Sequence, residues 1–187
     1  MLKNLQAVFL CLALLQTVGS GKSFSQSNLL IAENGKISFL SEAPLEIIRA
    51  SSEKLKGAID KLSNNFAFSV DIHSFKGFNG DLQREHFHEN YMETDKIPTA
   101  SFSGKFIEPV DFAVNGSYIV RAKGILNVHG IRKERIIKGI ITVNNGVIEI
   151  NAVFTVRLED HGIKVPKIVN EKIAEEIRAE ISIKFKN

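Results

Sequence analysis

Tryptophan is absent from this 187-residue chain, tyrosine occurs twice and cysteine once. The single thiol, Cys11, lies inside an apolar stretch near the N-terminus, too early to be a convincing lipid-attachment cysteine. If that stretch is removed, no thiol remains, which excludes a disulfide framework, thiolate catalysis and cysteine-based zinc sites together. An excess of one charge is also missing: 24 Lys+Arg against 21 Asp+Glu leave a formal +3. The one basic cluster, Arg132, Lys133, Arg135 and Lys138, is interrupted by Glu134 and opens an apolar strand. It reads as a solvated strand face, and no nucleic-acid partner is expected. There is no phosphate-cradling Gly-rich loop, no dinucleotide fingerprint and no Gly-x-Ser-x-Gly elbow. Internal repeats, low-complexity stretches and linker-like boundaries are lacking too.

The N-terminus has a leader's layout. Lys3 precedes an apolar core from Ala7 to Leu15, which frays to Val18 and gives way to Gly19, Ser20, Gly21, Ser23 and Ser25. This order describes a secretory signal peptide over residues 1–25, cleaved after Ser20 or Ser25, and hence an exported protein, periplasmic or secreted. The segment is too short for the ~20 apolar residues of a membrane span. Residues 26–187, roughly 160 in all, suffice for one core and therefore one domain.

What the remainder holds in abundance is period-2 alternation, the mark of half-buried strands. Phe66, Phe68, Val70 and Ile72 share a face, as do Tyr118, Val120, Ala122, Gly124, Leu126 and Val128. The longest run is Ile148, Ile150, Ala152, Phe154, Val156 and Leu158. Shorter runs surround Phe39, Ile59, Phe102, Ile141 and Ile183, and with a strand near Leu45–Ala50 the total is eight or nine. Asn-Gly occurs at 34–35, 79–80, 115–116 and 145–146, and between alternating runs it marks tight hairpins. Asp81–Met92 suggests a short helix capped by Asp81, with Phe87 and Tyr91 as an i,i+4 pair. Val169, Ile173 and Ile177 suggest a second after Pro166, giving way to the last strand near Arg178.

Strands with one apolar face must hide those faces and protect their edges, and closure removes edges altogether. The expected fold is therefore all-β, an antiparallel lipocalin-like barrel of about eight strands with one or two short helices. Thirteen phenylalanines are present. Candidates for the barrel interior are Phe39, Phe66, Phe68, Phe102, Phe106, Tyr118, Ala122, Leu126 and Phe154. Gly57, Gly104, Ala122, Gly124, Gly139 and Ala152 share those faces; they leave room beside the rings or mark strand bends and close backbone approach.

Glu85-His86-Phe87-His88-Glu89 is the one constellation resembling a metal site. On a helix, however, His86 and His88 point about 200° apart, and no metal site is expected. His73 and His129 alternate onto polar faces, where surface or loop-anchoring roles are ordinary, and Asp160-His161-Gly162 stands at a strand end before a turn, where Asp and Gly are expected anyway.

A family resemblance rests on an ordered series of motifs. Gly35-Lys36-Ile37-Ser38-Phe39 with Ala43-Pro44-Leu45-Glu46 comes first, then Leu55-Lys56-Gly57-Ala58-Ile59-Asp60. Phe68-Ser69-Val70 with Ser74-Phe75 follows, then Glu85-His86-Phe87 with Asn90-Tyr91-Met92-Glu93-Thr94. Pro98-Thr99-Ala100-Ser101-Phe102-Ser103-Gly104 and Gly124-Ile125-Leu126-Asn127-Val128-His129-Gly130 complete the set. From Asn34 onward the chain resembles YceI-family domains. The resemblance implies an exported lipocalin-like barrel that holds a polyisoprenoid or similar lipid, with no established enzymatic activity; members also occur as homodimers. The stretch Phe87–Thr94 departs from the family's pattern in being more acidic and polar.

The expected function is thus sequestration or carriage of a long apolar ligand, a polyisoprenoid, isoprenoid quinone or fatty lipid, with no cofactor. Its polar headgroup would meet His86, Asn90 or Tyr91 at the mouth. Two alternatives come from other classes. One is a metal-assisted hydrolase built on Glu85, His86 and His88; the other is a filled barrel acting through its surface.

Overall fold

A computed structural model describes residues 28–186; the expected signal peptide, residues 1–25, and Cys11 lie outside them. Eight antiparallel strands close in chain order: β1 (Leu29–Glu42), β2 (Ile47–Asp60), β3 (Asn65–Asp71), β4 (Thr99–Phe106), β5 (Gly116–Val128), β6 (Ile131–Asn144), β7 (Val147–Arg157) and β8 (Glu176–Lys186). The seam is β1 on β8, with Lys36–Leu40 opposite Ser182–Arg178. Among the described residues no helix is long and apolar enough to cross a membrane.

Alternation decides which side chains go inside. Ile148, Ile150, Ala152 and Val156 are buried, while Val147, Asn151, Val153 and Thr155 between them are exposed. Only one of the four Asn-Gly pairs is a hairpin turn between strands. Asn145 (φ 48°) and Gly146 (φ 79°) both take the left-handed conformation that a tight turn between right-twisted strands needs. Asn34-Gly35 instead lies within β1, at an irregularity in its pairing with β2. A Cβ on Gly35 would stand 2.7 Å from Ile183 Cγ1, so close packing rather than a turn calls for glycine there. Asn79-Gly80 leads into a helix and Asn115-Gly116 into β5.

Two further expectations change. Ile47–Ala50 and Leu55–Ile59 belong to one strand, β2, with Leu45 and Glu46 in the turn before it; buried Ser52 bonds Ser74 Oγ at 2.6 Å and the strand runs on through its polar stretch. The helix after Pro166 is reduced to one short turn, Lys167–Val169. The backbone beyond it finds partners elsewhere: Glu171 O accepts from Leu45 N–H (2.8 Å), and Ala174 N–H donates to Ser41 Oγ (2.9 Å). Ile177 already lies in β8, opposite Val156. The other helix forms as α1 (Asp81–His86) and runs on as a π-helical turn, Phe87–Tyr91. Gly80, not Asp81, stands at its N-cap, without a side-chain cap.

The two ends of the barrel differ. Around the β2–β3 and β6–β7 turns the interior is solid, with Ile59, Ile141, Ile148, Ile183 and Phe185 essentially inaccessible. Phe66 packs there against Phe106 (ring centroids 4.9 Å apart) and Phe102 (5.0 Å). The other end is hollow and carries the helix.

Candidate functional site

A chamber of about 180 Å³ occupies the hollow half. Its wall combines Phe39, Leu55, Phe68, Phe102, Leu126 and Phe154 from the strands with Phe75, Phe87, Met92 and Ile163 from the connections. Ser69 and Ser101 are the only residues of the wall with polar side chains; they pair across β3 and β4, out of step with inward Phe68, Val70 and Phe102. Ala100 and Ala179 also line the chamber, and their small side chains leave the space. The glycines do not: Gly57, Gly104, Gly124 and Gly139 stand outside it. Gly104 and Gly124 face each other across β4 and β5, where a Cβ would fall 2.1–2.3 Å from the opposite strand's carbonyl oxygens. They serve close backbone approach.

Above the chamber lies a wider mouth of about 510 Å³, and the two share Phe39, Phe87, Met92, Leu158 and Ile163. These shared residues form a plug. Phe39 stacks on Phe87 (5.4 Å, 21°), with Phe75 5.6 Å and Phe78 6.0 Å from Phe39. Phe87 is itself the first residue of the π-helical turn, whose widened hydrogen bond runs from Met92 N–H to Phe87 O. Such turns are rare and concentrate at functional sites.

The helix is pinned at both ends. At its start, Gln83 Nε2 donates to Glu46 Oε1 (2.8 Å) and Asn79 Nδ2 to Ile47 O (3.0 Å), tying it to the β1–β2 turn. At its end, Thr94 donates its N–H (2.8 Å) and hydroxyl (2.9 Å) to His88 O. Thr94 Oγ1 then stands 2.9 Å from His88 Nδ1 as acceptor, so that nitrogen carries the proton. The His88 ring stacks on His73 (5.5 Å, 23°). Burial, and secondarily the charge of His73, hold His88 below the ordinary imidazole range.

A second latch sits on the β5–β6 hairpin. His129 (φ 52°) places Nδ1 3.1 Å from His161 O and Nε2 3.2 Å from Glu93, whose carboxylate also binds Lys96 at 2.7 Å. The Lys96 bond, then that of His129, holds the Glu93 carboxyl below its usual range. His161 is wholly buried, with Nδ1 3.1 Å from Ile131 O.

The structure brings together five of the nine interior candidates, Phe39, Phe68, Phe102, Leu126 and Phe154, on the chamber wall. Phe66, Phe106 and Ala122 belong to the solid end, and Tyr118 donates its hydroxyl to Val114 O (3.0 Å) in the loop beside it. His86 and Tyr91 line the mouth, whereas Asn90 is exposed and does not. Tyr91 is partly buried there, which raises its phenol. Glu85, His86 and His88 are not gathered; among the described residues no three His, Cys, Asp or Glu side chains could hold one metal ion. Alternation could not find Phe75, Phe78, Phe87, Met92 and Ile163, which stand on connections. Only the density of aromatics between β3 and the helix signals them.

Residues 30–185 match the family model described as a YceI-like domain. No curated protein matches the chain. Among solved structures, a polyisoprenoid binding domain from Saccharophagus degradans, described as implicated in plant cell wall breakdown, is similar at TM-score 0.71 and 13% identity. That likeness covers 86% of this chain and 99% of the other. BcnA of Burkholderia cenocepacia is similar at TM-score 0.64 and 15% identity, over 80% of this chain and 95% of the other. A Campylobacter jejuni YceI protein follows at TM-score 0.55 and 13% identity, over 69% and 77%.

Proposed function

The chain belongs to the YceI-like domain family, and from that membership and its apolar chamber we propose that it is a non-enzymatic, exported protein that sequesters or carries a long apolar lipid, a polyisoprenoid or isoprenoid quinone. The carrying observation is a chamber with an almost wholly apolar wall, joined through an aromatic plug to a wider mouth. Water gains little in such a space. A hydrocarbon chain gains roughly 25 cal/mol for each Å² of apolar surface it buries. The similar Saccharophagus degradans domain is described as polyisoprenoid-binding, which supports the same ligand class here.

Size decides how the ligand would lie. An apolar cavity of roughly 150 Å³ holds a benzene ring, so a chamber of about 180 Å³ takes only one end of a long lipid. The rest would thread the plug into the mouth, turning Phe39 and Phe87 aside. There a polar headgroup would meet the polar side chains of the mouth, His86, Tyr91 and Gln83 together with Glu46, Asn79 and Lys172.

Organic extraction of protein purified from its native host, followed by mass spectrometry, tests this reading. One apolar lipid per barrel is expected. Protein that yields none, and whose added fluorescent isoprenoid gives no response, would overturn it.

A further inference from the structure

The mouth end leaves apolar side chains in the open. Ile168, in the turn between β7 and β8, is 91% exposed, and Leu45, between β1 and β2, is 66% exposed. Ile47 and Leu82 are exposed beside them. Scattered exposed leucines need no explanation, but Leu82 lines the mouth, and Leu45, Ile47 and Ile168 each adjoin a residue that does, Glu46, Ile48 or Val169. Leu45 N–H donates to Glu171 O, three residues from Ile168.

Cations stand directly behind that rim. On the outer wall Arg178, Leu40 and Arg49 form one cross-strand row, and Lys76 bridges to Ser51 on the same groove. Among the described residues, Arg49, Lys76 and Arg178 enter no ion pair, and Glu180 is the groove's single carboxylate. Ile47 and Arg49 share the outer face of β2, two residues and so about 7 Å apart. Apolar faces at a bilayer surface sink about 5–10 Å into the boundary between headgroups and chains. The spacing therefore sets cations at phosphate depth when the apolar rim reaches the acyl chains.

We propose that the mouth rim docks on an anionic lipid bilayer, with Leu45, Ile47 and Ile168 entering the acyl boundary and Arg49, Lys76 and Arg178 meeting lipid phosphates. The proposal deepens the lipid-carrier reading by setting the opening against a source of ligand. Its test requires no lipid in the chamber.

Flotation of the chain with phosphatidylcholine vesicles, with and without about 30% phosphatidylglycerol, measures docking directly; each cation removed near an anionic surface costs about fivefold. Binding is expected on anionic vesicles, weaker on neutral ones and falling with salt. Leu45→Asp with Ile168→Asp should weaken it more than tenfold on both. Arg49→Glu with Arg178→Glu should weaken it on anionic vesicles alone. Ile119→Asp with Ile140→Asp, exposed on the wall of β5 and β6, should bind like the parent chain. Equal binding to both vesicles, or rim or cation variants that bind like the parent, would overturn docking. Protein that docks yet yields no lipid on extraction overturns the carrier reading instead.

Discussion

At the scale of single residues, the strongest constraints are where backbones or rings meet with no room to spare. Gly124 is one: a Cβ there would stand 2.3 Å from Ser103 O, a backbone atom that cannot turn away. Alanine would recover about 0.5–1 kcal/mol of chain entropy, but forcing the strands apart costs about 1–3 kcal/mol. The clash wins, and Gly124→Ala should lower the urea midpoint by the equivalent of about 1 kcal/mol. His88 presents a different constraint, of protonation. Its native imidazole is held below the unfolded value, so its contribution is present above about pH 6.5 and is lost as pH falls through the native value. NMR titration of the ring should give a midpoint below that of an unfolded His, and helix shifts should follow it; in His88→Gln they should be flat. Very little of this was legible beforehand. His129 read as a surface or loop-anchoring residue, His88 only within the Glu85–Glu89 constellation and His161 only within a turn; their partners Glu93, Thr94 and Ile131 O are set by tertiary placement, which periodicity does not carry.

The elements divide by how local their causes are. Strands β3, β5 and β7 follow from alternation, and the Asn145-Gly146 hairpin from two residues that tolerate positive φ. Asn34-Gly35 failed as a turn because the same dipeptide also suits a crowded bulge against Ile183. The helical spacing of Val169, Ile173 and Ile177 failed because hydrogen bonds to the β1–β2 turn outcompete helix continuation. Helix α1 was found, but not its π-helical turn, which depends on holding Phe87 over Phe39. That turn is where the element acts. Phe87→Ala should leave the barrel folded and speed release of a bound fluorescent polyene about tenfold, equivalent to about 1.4 kcal/mol, as read by stopped-flow displacement. Unchanged release would mean that the plug does not gate the chamber.

For the whole molecule, closure and a single core could be read from the sequence, whereas the division into a solid and a hollow half could not. Phe66 and Phe154 alternate alike, yet one packs against Phe106 and the other faces the chamber. Position along the barrel axis separates them, and alternation contains no such coordinate. The hollow half can be filled deliberately. Ala179→Leu adds three carbons over the chamber, each worth about 0.8 kcal/mol when buried without strain. Melting should occur at the same or a higher temperature, while uptake of a fluorescent isoprenoid falls more than tenfold. A variant that still loads would place the ligand elsewhere.

The half-solid, half-hollow barrel also divides cooperativity. Amides of β6 and β7 near Asn145 lie over fully occluded isoleucines, so they should exchange with solvent only through global unfolding. Amides of the helix and the β7–β8 connection, over the chamber and mouth, should exchange through smaller and cheaper openings. Loading a lipid would then borrow a fluctuation the native barrel already makes, and the solid end would keep the strands in register while the other end breathes.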